Sequence, residues 1–167
     1  AQNAMYKFFD ATAWRMLEVR SDFRWVNRGA FSIVDPILEF DGFVDAILYL
    51  PRAFQVSFLS PFPVNWIEEG RHIGRIGRLL SGLEMLVWYV VIIGFIYEVV
   101  TASSRTIPLI PVLILSTIII ILLGYAVPNM GAIYRMRQDQ IIPFYLIGIF
   151  GVYSIINRLN NKRSVDL

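Results

Sequence analysis

An uncharged apolar stretch of twenty-one residues, 107–127, constrains the fold more than any other feature of this sequence. About twenty apolar residues in a helix cross the hydrocarbon core of a bilayer, and a helix satisfies its own backbone hydrogen bonds there. A second stretch, residues 79–100, carries only Glu84 and Glu98 as charges. A third, residues 141–156, is shorter. The sequence therefore predicts about three transmembrane helices.

The distribution of charge divides the chain into two unequal parts. Hydrophobic residues make up 56% of the 167 residues and charged residues 17%, a composition that is apolar for a soluble domain. Residues 79–127 contain three charges, whereas residues 1–78 contain eighteen of the twenty-eight. We predict an all-α integral membrane protein in which interfacial or re-entrant amphipathic helices, residues 1–78, precede a transmembrane domain, residues 79–157, and a polar tail, residues 158–167.

Several classes of function are excluded by residue type. The chain has no cysteine and a single histidine, His72, which argues against a metal site or a haem held between helices. Phosphate-loop, dinucleotide-binding, nucleophile-elbow and zinc-protease motifs are absent from the sequence. The net charge of +2 is carried mostly by arginines next to apolar segments, which favours lipid phosphates over nucleic acid. We predict no metal, no cofactor and no nucleic-acid partner, and we assign no catalytic residue.

Aromatic and basic side chains alternate near the N-terminus, over residues 4–28. This pattern predicts an amphipathic helix up to about Val19 in the plane of the lipid headgroups, with Trp14 and, further on, Trp25 as interface anchors. A helix that packs on another membrane subunit would have the same pattern, so both alternatives stay open. The sequence begins at Ala1 without a signal-peptide pattern, so a part of a longer protein and a complete chain are equal alternatives.

An acidic run follows this helix and consists of Asp35, Glu39, Asp41 and Asp45. Several carboxylates can bind a hard cation, but their spacing does not follow that of a calcium-binding loop. We favour a solvated acidic face, or pairing with the arginines of residues 15–28, over a cation site.

Residues 43–59 are mostly apolar but too few for a lipid-exposed span. Pro51 and Arg52 in the middle would interrupt the helix and bury a charge, so the sequence predicts a re-entrant or interfacial helix pair. The following segment, residues 60–66, contains two prolines. It predicts a rigid corner at the membrane surface, with Trp66 at the boundary between water and lipid.

A basic cluster precedes the first predicted span. Arg71, Arg75 and Arg78 share one helix face because they are spaced i, i+4 and i+7. Phosphate or headgroup binding would require that arrangement, although we favour flanking charge before a spanning helix. The arginines and lysines on the two sides of the predicted spans number five and four, which leaves the orientation open.

The turn between the second and third spans, residues 127–137, is the most informative feature for function. It ends in Arg135 and Arg137 beside Tyr134. A basic and aromatic cluster at a membrane boundary can bind lipid phosphate, anchor a helix at the headgroups or hold an acidic partner.

Glu84 lies five residues inside the first span. An ionised carboxylate at that depth costs roughly a few kcal/mol unless it faces protein, water or a base. A proton relay or a general base is one interpretation, and we favour an ion pair with Arg78 or Arg135. Glu98, near the other end of the same span, is expected to reach water and is given no role.

Four strings carry a resemblance to known proteins: Tyr49-Leu50-Pro51-Arg52-Ala53-Phe54-Gln55, Ser60-Pro61-Phe62-Pro63 with Trp66, Gly82-Leu83-Glu84-Met85-Leu86, and Pro128-Asn129-Met130-Gly131-Ala132-Ile133-Tyr134-Arg135-Met136-Arg137. Together they resemble the C-terminal part of polytopic bacterial envelope proteins that assemble polysaccharide or glycolipid, such as lipid-linked glycan polymerases and polyprenyl-phosphate-sugar transferases. The resemblance implies a binding surface for an isoprenoid phosphate or a glycan at the membrane boundary. It also implies that Arg52, Arg135 and Arg137 face the phosphate, with Glu84 as a supporting partner.

Two functions follow as hypotheses. The first is a component of cell-envelope glycan or glycolipid assembly in the bacterial inner membrane. It would contact membrane lipid and a polyprenyl-phosphate-linked glycan through Arg52, Arg75, Arg78, Arg135 and Arg137, with Trp14, Trp25, Trp66 and Tyr134 as anchors. The second is a non-catalytic accessory or scaffold subunit of a larger membrane complex. Its helices would contact other subunits through Gly94, Gly124, Gly148 and Gly151.

Overall fold

The computed structural model of the protein describes residues 2–26, 32–67, 74–101 and 106–165. Within these ranges the chain forms six α-helices and no strand, which confirms the all-α prediction. The helices are α1 Gln2–Val26, α2 Phe43–Leu59, α3 Arg75–Thr101, α4 Ile110–Ala126, α5 Met130–Met136 and α6 Ile142–Val165, and short 3₁₀-helices occupy Pro63–Trp66 and Ile107–Leu109.

Three segments are long and apolar enough to cross a membrane: Arg75–Thr101 with 27 residues, Ile107–Ala126 with 20 and Ile142–Asn161 with 20. The predicted number of spans is confirmed, and the chain is a membrane protein by the length and composition of these helices. The third helix is longer than the predicted 141–156, because its helical backbone continues into the polar residues beyond Ile156. Long polar side chains at such an end can extend towards the membrane surface.

α3 and α6 pack closely because three glycines lie at their contact. A Cβ atom on Gly151 would stand 1.8 Å from the carbonyl oxygen of Gly94, and one on Gly148 would stand 2.4 Å from that of Val91. Without those side chains the two backbones approach each other, as in small-residue contacts between membrane helices. Residue numbers increase together along the two helices from this pairing, so α3 and α6 run parallel.

α2 crosses α4 at another close contact. A Cβ atom on Gly124 would stand 2.5 Å from the carbonyl oxygen of Ala53. The Tyr125 hydroxyl donates a hydrogen bond to the carbonyl of Ala46 at 2.5 Å. The four glycines that the sequence suggested for contacts with other subunits therefore lie at helix contacts within this chain.

α2 is one continuous helix, so the predicted break at Pro51 is wrong. Pro51 removes one backbone donor, and the proline itself lies on the exposed side of the helix. The opposite side is held by burial of Ala46, Ala53 and Val56. Packing on that side outweighs the loss of a single hydrogen bond.

α1 extends past the predicted end at Val19 and continues to Val26. Ala13 and Arg20 are the buried residues of this helix over the described positions 7–26, and the helix packs on α2 and α4. The additional turns carry Arg20, whose contacts with α4 hold that part of the helix in place. The predicted end of α1 is too early because arginines usually face solvent, and the sequence pattern does not show that Arg20 is buried.

One end of the bundle carries the remaining elements, and we call it the α5 end. α3 and α6 begin there, α4 finishes there, and α5 joins α4 to α6. The 3₁₀-helix Pro63–Trp66 packs on α3, and α2 contacts α5. The predicted turn at residues 127–137 therefore lies beside α2.

Candidate functional site

The carboxyl end of α2 is buried at the α5 end. Carbonyls in the last turn of a helix have no donor within that helix and need one from outside. Each carbonyl of that turn has a donor: the Ser60 N–H for Val56, Arg137 Nη1 for Ser57, Trp88 Nε1 for Phe58 and the Tyr89 hydroxyl for Leu59, at 3.3, 2.5, 2.7 and 2.9 Å. This end of α2 is therefore fixed by side chains from α3 and from the link between α5 and α6.

α5 determines which arginine enters the fold. The predicted turn at residues 127–137 contains this helix, which begins after Asn129, whose side-chain oxygen accepts the N–H groups of Gly131 and Ala132 at 2.9 and 3.2 Å. Two residues along a helix differ by about 200° in direction. Arg135 consequently lies on the exposed side, whereas Arg137, which follows the last turn, points inward.

Arg137 is 1% exposed, and its predicted contact with a lipid phosphate stays a prediction. Its Nη2 lies 2.9 Å from the sulfur of Met85, and its guanidinium stands 5.7 Å from the centre of the Tyr134 ring. Its Nε is buried, and no residue in the described ranges accepts a hydrogen bond from it. Burial lowers the pKa of Arg137 to about 10, although Tyr89 and Tyr145 act in the opposite direction. The side chain therefore remains a cation at neutral pH.

Arg137 lines a groove of about 340 Å³ between α3 and α6, which we call the α3–α6 groove. The polar residues that line it are Glu84, Tyr134, Arg137, Gln138 and Tyr145. The apolar residues that line it are Met85, Val87, Trp88, Ile141, Ile142, Leu146 and Ile149. Most of the polar residues lie at the α5 end. Ile149 lies about 10 Å further along α6 than Ile142, at a rise of about 1.5 Å per residue. The groove is polar at one end and apolar along its length.

Glu84 is exposed and lines this groove. The ion pair predicted for it is wrong: neither Arg78 nor Arg135 lies within salt-bridge distance of Glu84 among the described residues. Glu98 was expected to reach water, but it is 2% exposed. It lies between α3 and α6 and accepts a hydrogen bond from the Ser154 hydroxyl at 3.4 Å. Of the two acids of the first span, Glu98 therefore has the opposite exposure to that expected.

Arg52 lies outside the α3–α6 groove. Its Nε and Nη2 donate to the two carboxylate oxygens of Asp35 at 3.0 and 3.1 Å, and its Nη1 donates to Gln55 at 2.8 Å. All three nitrogens of the guanidinium are engaged. A phosphate contact by Arg52 stays a prediction, and it would require this ion pair to open.

The remaining predicted arginines lie at the α5 end but not in the groove. Arg75 is exposed at the start of α3, and Arg78 donates to the Asn65 carbonyl at 3.1 Å. Arg135 donates from Nε to the Gly131 carbonyl at 3.2 Å. Arg71 and His72 lie outside the described residues. Phosphate contacts by these arginines stay predictions.

The predicted interface anchors fall into two groups. Trp14 and Trp25 are 59% and 67% exposed, so their rings are accessible to lipid or water around the protein. Trp66 instead packs on α3, where a Cβ atom on Gly82 would stand 2.8 Å from the indole ring, and its Nε1 donates to the Pro61 carbonyl at 2.9 Å. Tyr134 lies beside Arg137. Trp66 and Tyr134 therefore have packing contacts in addition to any role at the membrane boundary.

Arg20 is a second buried arginine, and the sequence reasoning missed it. Its Nη1 donates to the carbonyls of Gly124 and Tyr125, both at 3.1 Å, and its Nη2 donates to that of Val34 at 2.7 Å. Pro128 has no N–H, so the helical donor for the Gly124 carbonyl is missing and Arg20 takes its place. The sequence signal for this contact is Pro128, four residues after Gly124, because it leaves the Gly124 carbonyl in need of another donor.

Asp35 joins the segment before α2 to α2 itself. It has a left-handed backbone, with φ 47°, and accepts hydrogen bonds from Arg52 and, at 2.9 Å, from the Tyr49 hydroxyl. Burial raises the pKa of Asp35, but the hydrogen bonds from Arg52 and Tyr49 and the charge of Arg20 outweigh it, so the net pKa is lowered. Burial, with a contribution from Asp35, raises the pKa of Tyr49 to about 12. Of the acidic run, Asp35 thus pairs with Arg52 of α2, whereas Glu39 and Asp41 are exposed, as expected for a solvated acidic face.

The geometry defines a helical membrane protein with three candidate spans and an amphipathic groove that contains one buried cation. No protein-family model, curated protein or solved structure matches the chain significantly. The resemblance to envelope glycan-assembly proteins therefore stays a prediction.

Proposed function

We propose that the protein is a component of glycan or glycolipid assembly in the bacterial inner membrane and binds a lipid-linked phosphate in the α3–α6 groove. The observation that supports this most is the position of Arg137, a buried cation at the polar end of a groove that is apolar along its length. Its buried Nε lacks an acceptor among the described residues. An unsatisfied buried donor costs roughly 1–3 kcal/mol, so an acceptor oxygen from a ligand would remove a standing penalty.

Phosphate is the acceptor with the best chemical match. Arginine pairs with phosphate through charge-assisted hydrogen bonds, which are shorter and stronger than neutral ones. A free phosphate ion would leave the apolar walls formed by Val87, Leu146 and Ile149 uncovered. A phosphate with a hydrocarbon chain would cover both the polar end and the apolar walls of the groove, since its chain would follow α6 towards the membrane interior.

The assignment to envelope assembly is supported by the sequence strings around Arg52, Trp66, Glu84 and Arg137. Under this proposal a polyprenyl-phosphate-linked glycan is the ligand and bulk membrane lipids surround the helices. The alternative, an accessory subunit of a larger complex, would require contact surfaces other than Gly94, Gly124, Gly148 and Gly151, because those glycines pack inside the chain.

Filling the groove tests the proposal. Leu146 lines the groove and is 52% exposed, so a Leu146→Trp side chain can occupy the groove without displacing buried residues. Ile114→Trp is the matched control, because Ile114 is 55% exposed on α4 and is not among the residues that line the groove. We expect Leu146→Trp to lose bound lipid phosphate in the protein purified in mild detergent and to lower the envelope glycan product of the host.

Equal lipid phosphate and equal glycan product in Leu146→Trp and Ile114→Trp, at equal protein levels in the membrane, would overturn the proposal. Loss of lipid phosphate with unchanged glycan product would support the proposed binding site but contradict the role in glycan assembly. Copurification with larger partners at fixed stoichiometry, together with unchanged lipid phosphate, would support the accessory subunit instead.

A further inference from the structure

Glu84 and Arg137 are the charged side chains among the described residues that line the α3–α6 groove. They differ in setting, since Arg137 is buried and Glu84 is exposed. No ion pair joins them in the described structure. The groove is therefore lined by one positive and one negative side chain that do not pair with each other in the described structure.

We infer that Glu84 selects the headgroup, so that the groove accepts a lipid phosphodiester whose headgroup carries hydrogen-bond donors and rejects a pyrophosphate. This inference rests on the proposed binding of lipid phosphate in the same groove. Its basis is the combination of a single buried cation with a carboxylate at the polar end.

The charge balance favours one phosphate over two. A phosphodiester carries a single negative charge, which Arg137 neutralises. A second phosphate would lie in the same polar end as Glu84 without a further cation among the lining residues, and like charges repel most strongly where water is excluded. Arg75, Arg78 and Arg135 do not change this balance inside the groove, because they are not among its lining residues.

Glu84 also favours a headgroup that donates hydrogen bonds. A carboxylate accepts hydrogen bonds and offers none when it is ionised. Its position in a membrane-spanning helix makes an unpaired state costly. Sugar hydroxyls and an ammonium group are donors, so a phosphoryl-linked sugar and phosphatidylethanolamine share the required chemistry.

The test measures lipid affinity by native mass spectrometry of the full chain in detergent. The two donor-bearing phosphodiesters are polyprenyl phosphoryl-glucose and dioleoyl phosphatidylethanolamine. Dioleoyl phosphatidylcholine lacks the donors, polyprenyl pyrophosphate adds a phosphate, and dioleoylglycerol lacks phosphate. We expect at least one donor-bearing phosphodiester to bind about tenfold more tightly than phosphatidylcholine and polyprenyl pyrophosphate, since a hydrogen bond to a charged group is worth roughly that factor. The tighter of the two identifies whether the lipid is a glycan carrier or a bilayer phospholipid.

Glu84→Gln keeps the shape of the side chain and removes its charge. We expect it to reduce the preference over phosphatidylcholine severalfold and to tighten binding of polyprenyl pyrophosphate. Glu39→Gln is the control, because Glu39 is an exposed acid outside the groove and should leave both ratios unchanged.

The possible outcomes separate the inference from the proposed function. Tightest binding of polyprenyl pyrophosphate, or affinity ratios that do not change in Glu84→Gln, would overturn the inference while lipid-phosphate binding itself stands. Affinities no greater than that of dioleoylglycerol for every phosphate lipid would overturn the proposed function as well.

Discussion

Two buried arginines in this protein each close the carboxyl end of a helix. Arg20 donates to the last carbonyls of α4, and Arg137 donates to the last turn of α2. A cation is favourable at this end of a helix because the helix dipole is negative there. The two arginines differ in whether a buried nitrogen is left without an acceptor. Both terminal nitrogens of Arg20 donate to carbonyls, whereas the buried Nε of Arg137 has no acceptor in the described structure. That difference makes Arg137 the better candidate for a ligand contact.

The ion pair between Asp35 and Arg52 makes stability depend on pH. The pKa of Asp35 is lowered from its ordinary value of 3.8, so the folded state favours the ionised carboxylate. A lowered pKa stabilises the fold at every pH above the unfolded value, and this contribution is lost as the pH falls through the folded value. The loss therefore occurs below about pH 4.

A double-mutant cycle with Asp35→Asn and Arg52→Gln measures this contribution. We expect a coupling free energy of about 1 kcal/mol at pH 7, a modest value because the Arg52 side chain is 41% exposed. At pH 3 the coupling should shrink, because the stabilisation from a lowered pKa decreases once the pH is below the unfolded value of 3.8. Thermal unfolding in detergent gives the four free energies of the cycle at each pH. A coupling that is equal at both pH values would contradict the assignment of the lowered pKa to this pair.

At the scale of the helices, the sequence is a good guide to which segments can span a membrane and a poor guide to which side chains are buried. The three spans were predictable because a long apolar run satisfies its backbone only as a helix in lipid, whatever its neighbours are. The positions of Arg135 and Arg137 were not, because both are arginines in one basic cluster and only the start of α5 decides which one turns inward. The break predicted at Pro51 is wrong for a related reason, because the local sequence pattern does not show that α2 packs against α4.

The contact between α3 and α6 tolerates no side chain at Gly151. A Cβ atom there would stand 1.8 Å from the Gly94 carbonyl oxygen, so Gly151→Ala must push the helices apart. We expect a loss of about 2 kcal/mol in the free energy of unfolding, within the range for overpacked cores, and a lower thermal midpoint in detergent. Gly74→Ala is the control because nothing lies within 4 Å of its Cβ position. Equal midpoints for the two variants would show that the helices approach less closely.

At the scale of the whole molecule, the elements are distributed unequally between the two ends. α2 meets α3 at Trp88 and Tyr89 and α6 at Phe144, Arg137 contacts Met85, and the close contact of α3 with α6 continues away from the α5 end. The groove opens beside that contact, so its apolar length is formed by two candidate spans and its polar end by α5 and the following residues. A site of this kind depends on the three spans being threaded so that α3 and α6 begin on the same side of the membrane.

Single-cysteine labelling tests that threading. The chain has no cysteine of its own, so each introduced thiol reports one position. With an impermeant maleimide we expect Gly74→Cys and Asp139→Cys to label from one side of the membrane, and Thr101→Cys and Asn160→Cys from the other, since all four positions are exposed. Labelling of Asp139→Cys and Asn160→Cys from the same side would mean that α6 does not cross. The side that labels the first pair also locates the polar end of the groove, and hence the membrane leaflet from which a lipid phosphate would reach Arg137.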